Sequence, residues 1–139
     1  MQQLIVGVDG SEASIDALRW AARLAKDTAA TLTVVHVRHI PAIWSDNPSA
    51  FAAVEPYLEE LEQSARDAAA EVLGGVELPV AFEVRDGDPT DELDRAATAH
   101  QADAIVVSGH GNRGINRLLL GSVSSRLVHT ASVTVIVVR

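Results

Sequence analysis

Five short runs of β-branched and other apolar residues punctuate this chain, and helix-length stretches separate them. The runs are Leu4–Val8, Leu32–Val37, Leu78–Val84, Ile105–Val107 and Val133–Val138. Each is too short for a helix of its own, and most are continuous enough to be strands buried on both faces. Between the first two, Ile15, Leu18, Ala22 and Ala25 recur at helical spacing, with Glu12, Asp16, Arg19 and Arg23 mostly off that stripe. Val54, Leu58, Leu61, Ala65, Ala68 and Val72 make a second stripe, which predicts a helix from Phe51 to about Leu73, stopped by Gly74-Gly75. A third helix starts at Asp88 as N-cap, with Pro89 at its first position, Asp91-Glu92 in its first turn and Leu93, Ala96 and Ala97 on its apolar side. Residues 38–50 hold two prolines with Ser, Asp and Asn, and are expected to form a long loop. Pro79 and alternating acids suggest an edge position for the third strand. Such alternation predicts an α/β fold: an open five-stranded parallel sheet with helices on both faces. At 139 residues, one domain spanning 1–139 is expected.

Charge narrows the function classes. The chain has 11 Lys+Arg against 19 Asp+Glu, a formal net of −8. That argues against broad nucleic-acid binding, which needs a basic face. No apolar segment approaches the roughly 20 residues of a membrane span, and Met1-Gln2-Gln3 runs directly into a strand rather than a signal peptide. With no cysteine there is no disulfide, thiolate metal site or Cys nucleophile. A soluble, cytoplasmic protein is the expectation. The five histidines, His36, His39, His100, His110 and His129, show no metal-ligand spacing, and His36 is expected to be a strand residue at the sheet's edge. No Ser-His-Asp constellation is evident.

The acids are unevenly placed. All 19 lie at or before Asp103, and only Arg113, Arg117, Arg126 and Arg139 carry charge beyond it. That acid-free stretch reads as strand, glycine-rich loop, helix and strand, so the loop joins a strand's C-terminal end to a helix N-terminus. Bare N–H groups and the helix dipole favour a phosphate there. Ser122 is a candidate N-cap behind Gly121. Gly109-His110-Gly111-Asn112-Arg113-Gly114 matches G-x-G-x-x-G formally, but no acid follows to hold a ribose, and no Walker A loop is present. Redox chemistry on a dinucleotide and fast P-loop hydrolysis are both disfavoured. In a sheet of this class the ligand lies beyond the strands' C-terminal ends, where strand order reverses. If strand one lies beside strand four, Asp9-Gly10-Ser11, His36-Val37 and the 108–122 loop would line the site.

A different spacing accounts for more of the chain. His110-Gly111, nine residues, then Gly121-Ser122 resembles the phosphate loop of the universal stress protein family. Val8-Asp9-Gly10-Ser11, Val35-His36-Val37, Gly87-Asp88-Pro89, Leu118-Leu119-Leu120-Gly121-Ser122-Val123 and the terminal strand resemble that family too, so the likeness covers essentially the whole chain. The ATP-binding branch carries G-x2-G-x9-G-[ST]. This chain departs from it at Ser108-Gly109-His110-Gly111, where Gly-Ser-His-Gly is usual.

The resemblance implies strand order 3-2-1-4-5, a homodimer through Val133–Val138 and a small ATP-binding regulator. It also implies roles for particular residues. Asp9 would serve the ribose, or a Mg²⁺ or Mn²⁺ ion on the phosphates, or else cap the first turn. Gly10 and Ser11 would follow it at the site. Val37 would meet adenine through backbone groups and apolar contact, or be a plain strand-end core residue. Ser108, Gly109, His110 and Gly111, then Gly121, Ser122, Val123 and Ser124, would form the ribose and phosphate cradle. Arg113 and Arg117 would reach outer phosphates or remain solvated. Two alternatives stand beside this reading: a relative without nucleotide that acts through dimerisation and protein contacts, and a nucleotidyl-transfer or ATP-hydrolysing enzyme on a related fold.

Overall fold

A computed structural model describes residues 1–110 and 121–139. In chain order it contains β1 (Gln3–Gly7), α1 (Glu12–Thr28), β2 (Thr31–His39), α2 (Ala42–Ser45), α3 (Pro48–Leu73), β3 (Val80–Gly87), α4 (Pro89–Ala99), β4 (Ala104–Ser108), α5 (Ser122–Thr130) and β5 (Thr134–Val138). The strands form one sheet in the order β3-β2-β1-β4-β5, and every pairing is parallel. The α/β class and the strand order both follow the expectation.

Strand pleating divides the interior in two, because successive side chains point to opposite faces. Leu4, Val6, Leu32, Val34, Ala104 and Val106 face α1 and α3, and pack with Leu18, Ala21, Ala25 and Ala65. Ile5, Val35, Ile105 and Val107 face the other way, onto Leu93, Ala96 and Ala97 of α4 and Leu127 of α5. Small alanines on the buried stripes let the helices lie close against the sheet. Each fully buried Leu, Ile or Val contributes about 1.5–3 kcal/mol relative to exposure.

Local signals set the helix ends. Ser11 caps α1, its hydroxyl accepting from Ser14 N, and Ala29 closes that helix in the left-handed region at φ 56°. Asp88 caps α4 by accepting from Asp91 N, with Pro89 in the first turn. Two expectations are corrected. Residues 38–50 are not one loop, because α2 occupies Ala42–Ser45 and α3 begins at Pro48 behind Asn47, whose side chain accepts from Ala50 N. Asn-Pro supplies a cap and a pre-set first residue, and so outweighs the loop-like composition. The third strand starts at Val80, so Pro79 lies just outside it and spends only its carbonyl, on Leu32 N.

Candidate functional site

Strand order reverses between β1 and β4: the chain leaves β1 towards β2 on one side and later returns to place β4 on the other. Helices diverge there and leave a crevice above the strands' C-terminal ends. A cleft of about 310 Å³ occupies that position. Gly7, Val35, Val37, Val107 and Leu93 give it an apolar wall, and Asp9, Ser14, Ser108, Ser122 and Ser124 bring polar atoms to it.

The β1 side is a tight turn. Asp9 accepts from Ser11 N at 2.9 Å through Oδ1, and the Ser14 hydroxyl accepts from Asp9 N at 3.3 Å while donating to the Ser11 carbonyl at 2.9 Å. Gly10 turns the chain there at φ +89°, where a side chain would be strained. Asp9 thus holds the turn with one oxygen and lines the cleft.

The β4 side is organised by Gly109. Its N–H donates to Val138 O at 2.8 Å, and its carbonyl accepts from Gly121 N, which draws the two glycines together as a neck between β4 and α5. The buried Ser124 hydroxyl lies 3.2 Å from Gly121 O and 3.4 Å from Gly109 O, and so ties the helix start to that neck. Ser122 is not the N-cap. Gly121 takes that place, extended at φ −69° and ψ 169°, and no side chain caps α5 among the described residues. The first N–H groups of a helix have no intrahelical partner, so those of Ser122, Val123 and Ser124 face the cleft they line with no side-chain cap.

Of the anticipated residues, Asp9, Val37, Ser108, Gly121, Ser122, Val123 and Ser124 line this cleft, whereas Gly10, Ser11, Gly109 and His110 are not among its lining residues. Gly111, Arg113 and Arg117 lie outside the described residues. Arg126 is spent elsewhere, its guanidinium 3.1 Å from Asp88. Burial pushes the Asp88 carboxyl up, but the Asp91 N–H and Arg126 outweigh it and hold it below the usual range. His36 is a strand residue as expected, but not at the sheet's edge. β2 is an inner strand, and the imidazole is 3% exposed with Nδ1 2.8 Å from Val8 O.

Gly7, Val35, Pro89, Leu93 and Val107 were not anticipated. Gly7 carried a signal, since a glycine inside an apolar strand marks close approach of something else. A Cβ there would stand 3.1 Å from Leu93.

The universal stress protein family model matches residues 1–139, the whole of this chain. The chain belongs to the universal stress protein family. Among its relatives in that family, the universal stress protein YxiE of Bacillus subtilis is 28% identical over 149 residues, covering 99% of this chain and 98% of YxiE. One from Methanocaldococcus jannaschii is 27% identical, covering 99% of this chain and 82% of its own length.

Solved structures agree on the fold. The universal stress protein UspA from Lactobacillus plantarum matches with a TM-score of 0.73 at 26% identity, covering 99% of this chain and 97% of that one. A universal stress protein in complex with cAMP matches at 0.74 and 24% identity, over 99% and 97%. A family protein from Arabidopsis thaliana with AMP bound matches at 0.70 and 18% identity, over 99% and 91%.

The cleft of this universal stress protein has the build of a small-molecule site. Its volume is near the low end of small-molecule sites, about 300–1,000 Å³. Apolar walls accept a planar base, and the α5 N-terminus offers N–H groups to phosphate. A metal ion finds less: among the described residues no group of three His, Cys, Asp or Glu side chains converges. An ion here would need phosphate oxygens to complete its shell around Asp9. No described helix is long and apolar enough to cross a membrane.

Proposed function

We propose that this chain is a nucleotide-dependent regulator that binds ATP in the β1–β4 cleft. The observation that carries the reading is the pairing of an apolar slot with a helix start that no side chain caps among the described residues. In the proposal adenine lies against Val35, Val37 and Val107, and the phosphates meet the N–H groups of Ser122, Val123 and Ser124. The Ser122 hydroxyl adds a donor. Asp9 keeps one carboxylate oxygen for the ribose or for a Mg²⁺ or Mn²⁺ ion carried by the phosphates, whose charge the ion would offset. The family proteins described with cAMP and AMP support the ligand class, and the proposal extends that class to ATP. Ser108 lines the cleft where a glycine is usual in the ATP-binding branch, and the adjacent Gly109 supplies the small residue.

The β5 strand lies at the sheet's edge with Val135 to Val138 only half-buried. Such an edge pairs readily with another strand, so the regulator is proposed to act as a cytoplasmic homodimer joined through it.

Equilibrium dialysis with ATP tests the nucleotide reading. Gly121→Val is the decisive variant, because φ −69° at this position is open to valine and the fold is expected to survive. ATP binding by the parent protein and its abolition in the variant are the expected results. Unchanged affinity in Gly121→Val would overturn the site.

A further inference from the structure

Val37 stands where the β1–β2 ladder stops, and a histidine stops it. On a parallel strand, residues two apart send N–H and C=O to the same neighbour. Val8 N donates to Val35 O at 2.9 Å, so Val35 faces β1 and Val37 faces the same side, past the end of β1. The next rung would run from Val37 N to Val8 O. Among the described residues no such main-chain bond forms. Val8 O instead lies 2.8 Å from Nδ1 of His36. A carbonyl only accepts, so Nδ1 carries the proton and donates it. The ring is buried at 3% exposure, which fixes it in that place.

We propose that His36 is a positioning residue for the nucleotide. By engaging the Val8 carbonyl it ends the ladder one rung early and leaves Val37 N–H and C=O bare on the cleft wall. An adjacent donor and acceptor suit the edge of a purine, which presents an acceptor ring nitrogen beside an exocyclic donor. The ligand in this inference rests on the nucleotide reading, whereas the broken ladder does not.

Amide exchange and binding together test it. In the ligand-free parent protein, the Val35 amide is expected to be protected and the Val37 amide to exchange at least ten-fold faster, with the imidazole nitrogen shifts of His36 reporting a proton on Nδ1. His36→Leu removes the donor. A buried carbonyl is costly to leave unpaired, so Val37 N then closes the rung, its exchange slows, and ATP affinity falls about ten-fold for two lost hydrogen bonds. Affinity for inorganic tripolyphosphate stays unchanged. His36→Asn, whose amide nitrogen branches from Cγ as Nδ1 does, restores fast exchange and ATP affinity. A protected Val37 amide in the parent protein overturns the proposal even if His36→Leu fails to fold, and so does a loss that His36→Asn does not rescue. If the parent protein binds no ATP, the nucleotide reading falls while Val37 exchange still decides what His36 does.

Discussion

Replacing Gly7 by alanine sets the cleft floor against the core beneath it. A Cβ at Gly7 would stand 3.1 and 3.2 Å from the two Leu93 methyls and 3.5 Å from Val107 Cγ1. Carbon atoms rest at about 3.5–4.0 Å, so Leu93 must retreat by about 0.5 Å. It has little room, being 3% exposed and packed with Ala96, Ala97 and Ile105. Alanine gains about 0.5–1 kcal/mol through the unfolded chain's lower entropy. Overpacking costs about 1–3 kcal/mol. The balance is a loss of about 1 kcal/mol, or about 3–4 °C in Tm for a chain of this size. Because the displaced Leu93 also lines the cleft, ATP affinity is expected to fall about ten-fold, by about 1.4 kcal/mol. Urea unfolding followed by circular dichroism gives the first number, and titration calorimetry with ATP the second. A Gly7→Ala protein as stable as the parent, binding ATP equally well, would refute the reasoning.

Further expectations follow from single contacts. Leu127→Ala empties a fully buried place against α4 and the sheet and should cost about 2–5 kcal/mol in urea unfolding. Ser124→Ala frees the Gly109 and Gly121 carbonyls from their shared hydroxyl, at a cost of about 1 kcal/mol and with weaker ATP binding by dialysis. A hydrogen bond from Arg38 holds the Asp86 carboxyl below the usual range, against the pull of burial. The folded value lies below the unfolded one, so this contribution is complete above about pH 4 and fades as pH falls through the folded value. With Asp86 46% exposed, Asp86→Asn should lose only about 0.5 kcal/mol at pH 7. That difference should shrink as pH falls below about 4 and be lost once pH has passed through the folded value in acid unfolding curves.

Most of the architecture was legible because the strands announced themselves as short apolar, largely β-branched runs, and α1, α3 and α4 by their apolar stripes. Asp88-Pro89 located α4 to the residue, since cap and first-turn chemistry is local. Asn47-Pro48 carried the same information, but two prolines and a polar run around it outweighed that signal. The site's polar rim, Asp9, Ser122 and Ser124, could be read from loop chemistry. Its apolar wall could not, because Leu93 and Val107 look in sequence like ordinary core residues, and only the crossing of α4 over β1 turns them into lining. His36 was misread for a related reason. A polar side chain in a strand suggests an edge, and its buried partner is a carbonyl 28 positions away in the chain.

The two interiors of this sheet have unequal freedom to change. Behind α1 and α3 only Val8 of the clustered core residues reaches the cleft, so most substitutions there tune folding alone. Behind α4 and α5 the same rows of side chains run upward into open space, and Val35, Leu93 and Val107 belong at once to what keeps the molecule together and to what it holds. Selection for a tighter fold on that half must therefore be reconciled with room for a guest, whereas the other half, Val8 and Ser14 apart, answers mainly to thermodynamics.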